Sequence, residues 1–136
     1  MDAKVETELV SDRRMSRTIL LVEDDRAVRR YMEILLQRAG FSVVAAADGL
    51  EAMKLALSTK FDLVITDAIM PQLNGYELCR FLRRHPHLAR VPIVLLSGAE
   101  RNGDESIKPD AYLTKPVQPE QLSACLAKLI EGASDV

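Results

Sequence analysis

The chain has 136 residues, 48% hydrophobic and 28% charged, with only 6 Gly and 6 Pro. That is the size of one ordinary domain, able to bury roughly two thirds of its unfolded surface without metal or disulfide support. It excludes collagen-like, low-complexity and wholly disordered classes, and leaves no room for a catalytic domain joined to a separate output domain. Twenty acids against 18 bases give a net charge of −2, and aromatics amount to 4% with no Trp. Neither a global field for polyanions and membrane surfaces nor an aromatic platform for single-stranded nucleic acid is therefore expected.

Residues 1–17 are read as a tail: MDAKVETELVSDRRMS mixes both charge signs and lacks the apolar middle of a signal peptide. No apolar stretch approaches the roughly 18 to 20 residues of a membrane span. Cys79 and Cys125 have no metal-ligand spacing. Together these features predict a cytoplasmic location and cysteines that serve core packing.

From Thr18 the pattern becomes regular. Ile19 to Val22 form a short continuous apolar run, as expected of a strand covered on both faces, and Glu23 and Asp24 stop it. Asp25 occupies an N-cap position ahead of a helix to about Ala39, with Ala27, Val28, Tyr31, Ile34 and Leu35 as its expected buried face and Gly40 after its end. A second strand is predicted over Phe41 to Ala46. Asp48, with Glu51 three residues on, resembles a capping box for a helix to about Ser58 whose stripe is Ala52, Met53, Ala56 and Leu57.

Leu63 to Thr66 make a third strand ending on Asp67. Asn74 and Glu77 then frame a helix to about Arg84, and Pro92 to Leu96 make a fourth strand ending at Ser97. The next stretch, GAERNGDESIKPD, contains only Ala99 and Ile107 as apolar residues, so the helix expected there is short or irregular. A fifth strand, Ala111 to Thr114, precedes Lys115 and Pro116. The last helix starts at Pro119, repeats Leu122, Cys125, Leu126, Leu129 and Ile130, and ends at Gly132.

Alternating strands and helices of this length predict an α/β fold with a doubly wound parallel sheet and helices on both faces. Ligands of such sheets bind outside the carboxyl ends of the strands. The polar residues collect there: Glu23 and Asp24 after the first strand, Asp67 after the third, Ser97 after the fourth and Lys115 after the fifth. A lone acid after a strand is usually a helix cap and a lone Lys a solvated charge, but four strand ends agreeing is harder to assign to chance. Clustered carboxylates repel unless a cation is present, and a hard ion such as Mg²⁺ suits them. A hydroxyl and an ammonium can then hold phosphoryl oxygens while one carboxylate acts as nucleophile.

The runs ILLVEDD, VITDAIMPQLNG, PIVLLSG and YLTKP, in that order and spacing, resemble the receiver domain of bacterial two-component response regulators over Thr18 to Gly132. The resemblance implies a flavodoxin-like five-stranded sheet of order 2-1-3-4-5, one receiver domain over 18–132 and a C-terminal tail at 133–136. It implies Asp67 as phosphoacceptor, taking its phosphoryl group from a sensor histidine kinase or phosphotransfer protein. Glu23, Asp24, Asp67 and the backbone carbonyl of Ile69 become the Mg²⁺ ligands, with Asp25 left as helix cap. Ser97 and Lys115 become the phosphoryl-holding pair, Lys115-Pro116 a cis bond and Tyr112 the conformational switch.

On this reading the chain is a stand-alone receiver without an enzymatic output domain, signalling to a downstream protein; a homodimer is compatible with it. Two departures stand out: the Ser97 to Lys115 interval is short for the family, which predicts a non-standard output surface, and Ile69 and Ala99 are apolar, which predicts slow self-dephosphorylation. Rival readings are weaker. Arg80, Arg83, Arg84, His85, His87 and Arg90 are more simply a helix end complementing its dipole than a nucleic-acid patch. A dehalogenase-like phosphatase needs a second Asp where Ile69 stands, and three acids repel a flavin phosphate. A phosphorylation-independent pseudo-receiver, the remaining alternative, is expected to lack part of the acid, hydroxyl and lysine set.

Overall fold

The structure, a computed structural model, describes residues 17–98 and 108–131. The strands are β1 (Thr18–Val22), β2 (Ser42–Ala46), β3 (Leu63–Asp67), β4 (Ile93–Ser97) and β5 (Ala111–Thr114). The helices are α1 (Arg26–Arg38), α2 (Gly49–Ser58), α3 (Gly75–Arg84) and α4 (Pro119–Leu126), the last continuing as a π-helical stretch, Ala127–Glu131. The expectation of a short helix between the fourth and fifth strands, and both tails apart from Arg17, fall largely or wholly outside the described residues.

All strand pairs are parallel and the order is β2-β1-β3-β4-β5, as the family resemblance implies. Apart from Thr18 and Thr66, the three central strands are apolar up to Val22, Asp67 and Ser97 at their ends, because both of their faces are covered. The period of two splits them between two cores. Leu20, Val22, Val64, Ile93 and Leu95 face α2 and α3, whereas Ile19, Leu21, Ile65, Val94 and Leu96 face α1 and α4.

Local signals set the helix starts. Asp25 Oδ1 accepts from Val28 N at 3.0 Å. Asn74 and Glu77 form a reciprocal capping box, Glu77 N donating to Asn74 Oδ1 at 2.9 Å and Asn74 N to Glu77 Oε1 at 3.4 Å. At α2 the box is displaced by one residue: Asp48 accepts from Glu51 N, but Glu51 Oε2 accepts from Ala47 N rather than from the cap itself.

Two expected helix faces are corrected. On α1 the residues turned to the sheet are Met32 and Leu36, flanked by Val28 and Leu35, while Ala27 is exposed and Tyr31 is 47% exposed. The helix is apolar at Val28, Tyr31, Met32, Ile34, Leu35 and Leu36, too broad an arc for periodicity to select its centre. On α2, Gly49, Ala52 and Ala56 are buried and Leu57 is 59% exposed, since the small residues let the helix approach the sheet closely. The α4 stripe is as expected, with Leu122, Leu126 and Ile130 buried.

Candidate functional site

The winding of the sheet brings the ends of β1, β3, β4 and β5 to one rim, and extra backbone bonds carry the ladder beyond the strands into the rim residues. Glu23 N donates to Ala46 O at 3.1 Å, Ala68 N to Leu96 O at 2.8 Å and Lys115 N to Ser97 O at 2.8 Å. Glu23, Asp67 and Ser97 are thereby buried while polar, at 1%, 6% and 3% exposure. The cis peptide between Lys115 and Pro116 follows directly after β5.

Lys115 Nζ donates to Asp67 Oδ2 at 2.7 Å and reaches Glu23 Oε2 at 3.3 Å. Carboxylate oxygens of Glu23, Asp24 and Asp67 lie within 4.8 Å of one another, with Asp24 on the exposed side. Burial, then a hydrogen bond that protonated Glu23 donates to Asp67, then the charge of Asp67, push the Glu23 carboxyl up to about 7 from an ordinary 4.5, with Lys115 offsetting part of the rise. Burial opposes the charge on Lys115, but the hydrogen bond and charge of Asp67, followed by those of Glu23, hold it above its ordinary value.

One lysine therefore faces two buried carboxylates, and its charge only partly offsets the burial and the Asp67 carboxylate that raise Glu23. An all-oxygen donor set short of cations fits a hard divalent ion such as Mg²⁺. Ser97 Oγ gives a second indication of a ligand: it is buried and has no hydrogen-bond partner among the described residues, and such a group normally has one. It ends the strand beside β3 and β5, in register with Thr114.

Of the sequence-predicted residues, Glu23, Asp24, Asp67 and Lys115 thus come together, and Ser97 ends the neighbouring strand. Ile69, in the loop after β3, has its side chain 75% exposed. Tyr112, on β5 opposite Leu95, is half-buried and packs against the core under α2 and α3.

Two further residues shape the site. Gly75, the first residue of α3, sits so close to β3 that a Cβ there would lie 2.3 Å from Asp67 O. The Arg29 guanidinium, on the first turn of α1, donates to Glu23 O at 2.9 Å and fixes the strand end from the other face. Gly75 closes the VITDAIMPQLNG run but has no role assigned to it by the sequence, and nothing in the sequence marks Arg29.

A parallel 2-1-3-4-5 sheet with an acidic pocket and a lysine at the carboxyl ends of its strands defines the class: a flavodoxin-like receiver fold. The sequence profile of the response regulator receiver domain matches residues 19–127, and the chain belongs to that family, the receivers of two-component systems. It is 38% identical over 120 residues to the probable transcriptional regulator ycf29 of Porphyra purpurea, covering 85% of this chain and 57% of that protein. The chain spans about half the length of several of the curated relatives it matches. Among solved structures, the receiver domain of a signal transduction histidine kinase from Syntrophus aciditrophicus superposes with a TM-score of 0.81 at 29% identity, covering 88% of this chain and 94% of that one. The receiver domain of a sensor histidine kinase from Pseudomonas aeruginosa PAO1, which has a magnesium ion coordinated in its active-site cleft, gives 0.79 at 31% identity and covers 85% and 98%.

Proposed function

We propose that Asp67 is the phosphoacceptor of this receiver, and that Glu23, Asp24, Asp67 and the Ile69 carbonyl hold Mg²⁺. The observation that carries this reading is the 2.7 Å contact between Lys115 Nζ and Asp67 Oδ2 inside a cluster of three carboxylates. A carboxylate oxygen of Asp67 attacks the phosphorus of a phosphohistidine; the P–N bond breaks and the imidazole nitrogen leaves with its electron pair, to be protonated. Lys115 pairs with the charge gathering on the transferred oxygens, and the unpartnered Ser97 hydroxyl donates to one of them. Bound Mg²⁺ supplies further electrostatic stabilisation of those oxygens.

The donor is a sensor histidine kinase or a phosphotransfer protein. An apolar cavity of about 340 Å³ beside Lys115, lined by Val28, Tyr31, Met32, Pro116 and Val117, supports docking on this side. Tyr112 is the switch in this reading: it lies two strand positions before Thr114, which is in register with Ser97, so a phosphoryl group drawing Ser97 forward alters the space available to its ring. The complete set of acids, hydroxyl and lysine at one rim favours a phosphorylated receiver over a pseudo-receiver.

The test is acetyl phosphate or beryllofluoride with and without Mg²⁺, followed by intact mass and amide spectra. Mg²⁺-dependent addition of one phosphoryl group, abolished by Asp67→Asn, is expected; no Mg²⁺-dependent change returns the pseudo-receiver. Ser97→Ala is expected to weaken the response while leaving stability nearly unchanged, since no hydrogen bond among the described residues is lost.

A further inference from the structure

Away from the acidic rim, α2 and α3 form a face that the phosphorylation chemistry does not use. Leu50, Met53 and Leu57 recur at i, i+3 and i+7 along α2, with Leu50 48% and Leu57 59% exposed. Met53 also lines a groove of about 440 Å³ together with Leu73, with Arg80, Phe81 and Arg84 of α3 and with His85 just past its end. Arg84 is exposed and makes no ion pair among the described residues. Among the described residues the one acid of the groove, Glu77, has its carboxylate turned to the cap of its own helix. The groove's lip is rigid, because Gly49 of α2 packs so closely on Leu73 that a Cβ would lie 2.6 Å from its carbonyl oxygen.

An apolar stripe beside a cationic rim complements one kind of surface. We propose that the α2–α3 face docks an acidic amphipathic helix of a partner protein, its apolar side against Leu50, Met53, Leu57 and Phe81 and its carboxylates against Arg84. Polyphosphate pairs with the arginines but leaves the leucines facing water, and a membrane surface needs a convex apolar ridge rather than a groove. The ten residues of α2 offer about 15 Å of contact, about three turns of a partner helix.

The probe is a fluorescent peptide of about 14 residues with Leu at i, i+3, i+4 and i+7 and Glu at the flanking positions, titrated onto the full chain. A micromolar dissociation constant is expected, with the largest amide shifts at Leu50, Leu57, Phe81 and Arg84. Arg84→Glu and Leu57→Ser, both at exposed positions, are each expected to weaken binding about tenfold with the spectrum of the free protein otherwise preserved. Equal binding of a Lys-flanked peptide overturns the proposal. So do shifts confined to other faces, displacement of the peptide by anionic phospholipid vesicles or an oligonucleotide, or binding that appears only as self-association of the chain.

Discussion

Lys115 Nζ and Asp67 Oδ2 stand 2.7 Å apart although 48 positions separate them in the chain, and Glu23 shares the same ammonium at 3.3 Å. The lysine is the organic cation of a pocket that holds more negative charge than it can neutralise. Removing it by Lys115→Met leaves the acids to be neutralised by protons alone. The variant is expected to lose about 1–3 kcal/mol at pH 8 and less at pH 5, where Glu23 is protonated anyway, as read by urea unfolding at the two pH values.

The raised Glu23 carboxyl fixes the sign of a second pH effect. The folded protein without metal holds a proton that the unfolded chain releases near 4.5, so this group's contribution to stability declines as pH rises from about 4.5 to about 7. A divalent cation competes with that proton, so Mg²⁺ affinity strengthens with pH up to about 7 and levels off above it. Calorimetric titration at pH 5.5 and 8 is expected to show proton release on binding at the lower pH only, and Glu23→Gln is expected to remove the difference.

Gly75→Ala tests the packing of α3 on β3. A methyl group placed 2.3 Å from Asp67 O forces the helix start or the strand end to move. The expected cost is about 2–4 kcal/mol, on the order of a 10 °C drop in thermal midpoint, with slower phosphorylation of the folded fraction because Asp67 itself is displaced.

Arg83 is expected to matter for the fold rather than for a cationic surface. Its Nη1 donates to Ala89 O at 3.1 Å and Val91 O at 2.7 Å, and its Nη2 to Asp110 Oδ2 at 2.6 Å, an oxygen that also accepts from Ile93 N at 2.7 Å. Arg83→Ala is expected to cost about 2–3 kcal/mol, and Arg83→Lys to recover only part of it, because an ammonium lacks the planar fork that spans these acceptors. Chemical denaturation midpoints of the two variants decide the matter.

Once phosphorylated, the protein is expected to hold the group for minutes or longer. The Ile69 side chain stands exposed beside the site and has no polar atom to orient an attacking water. A half-life of seconds, followed by intact mass after removal of the phosphodonor, would contradict this.

Much of the molecule is legible locally. Continuous apolar runs that end in acids announce buried strands with a polar rim, and Asp25, Asp48 and Asn74 mark helix starts because capping depends on groups within four residues. The order of the motifs, through the family they resemble, also indicated which residues meet at the rim. What the sequence left open depends on contacts between distant segments. Both helix faces that periodicity misplaces, at Tyr31 and Leu57, belong to broadly apolar helices whose orientation the sheet chooses.

By itself, then, the sequence determined the alternation of elements, the parallel sheet and the set of acids, hydroxyl and lysine, because these follow from periodicity, capping and side-chain chemistry. Only the tertiary structure decided that Ser97 has no hydrogen-bond partner among the described residues, that the Glu23 carboxyl is raised, that Gly75 must remain a glycine and that Arg83 belongs to the scaffold while Arg84 faces a groove. The reason is common to all of them: burial, field and steric clearance are properties of the space between segments, and no single segment encodes that space.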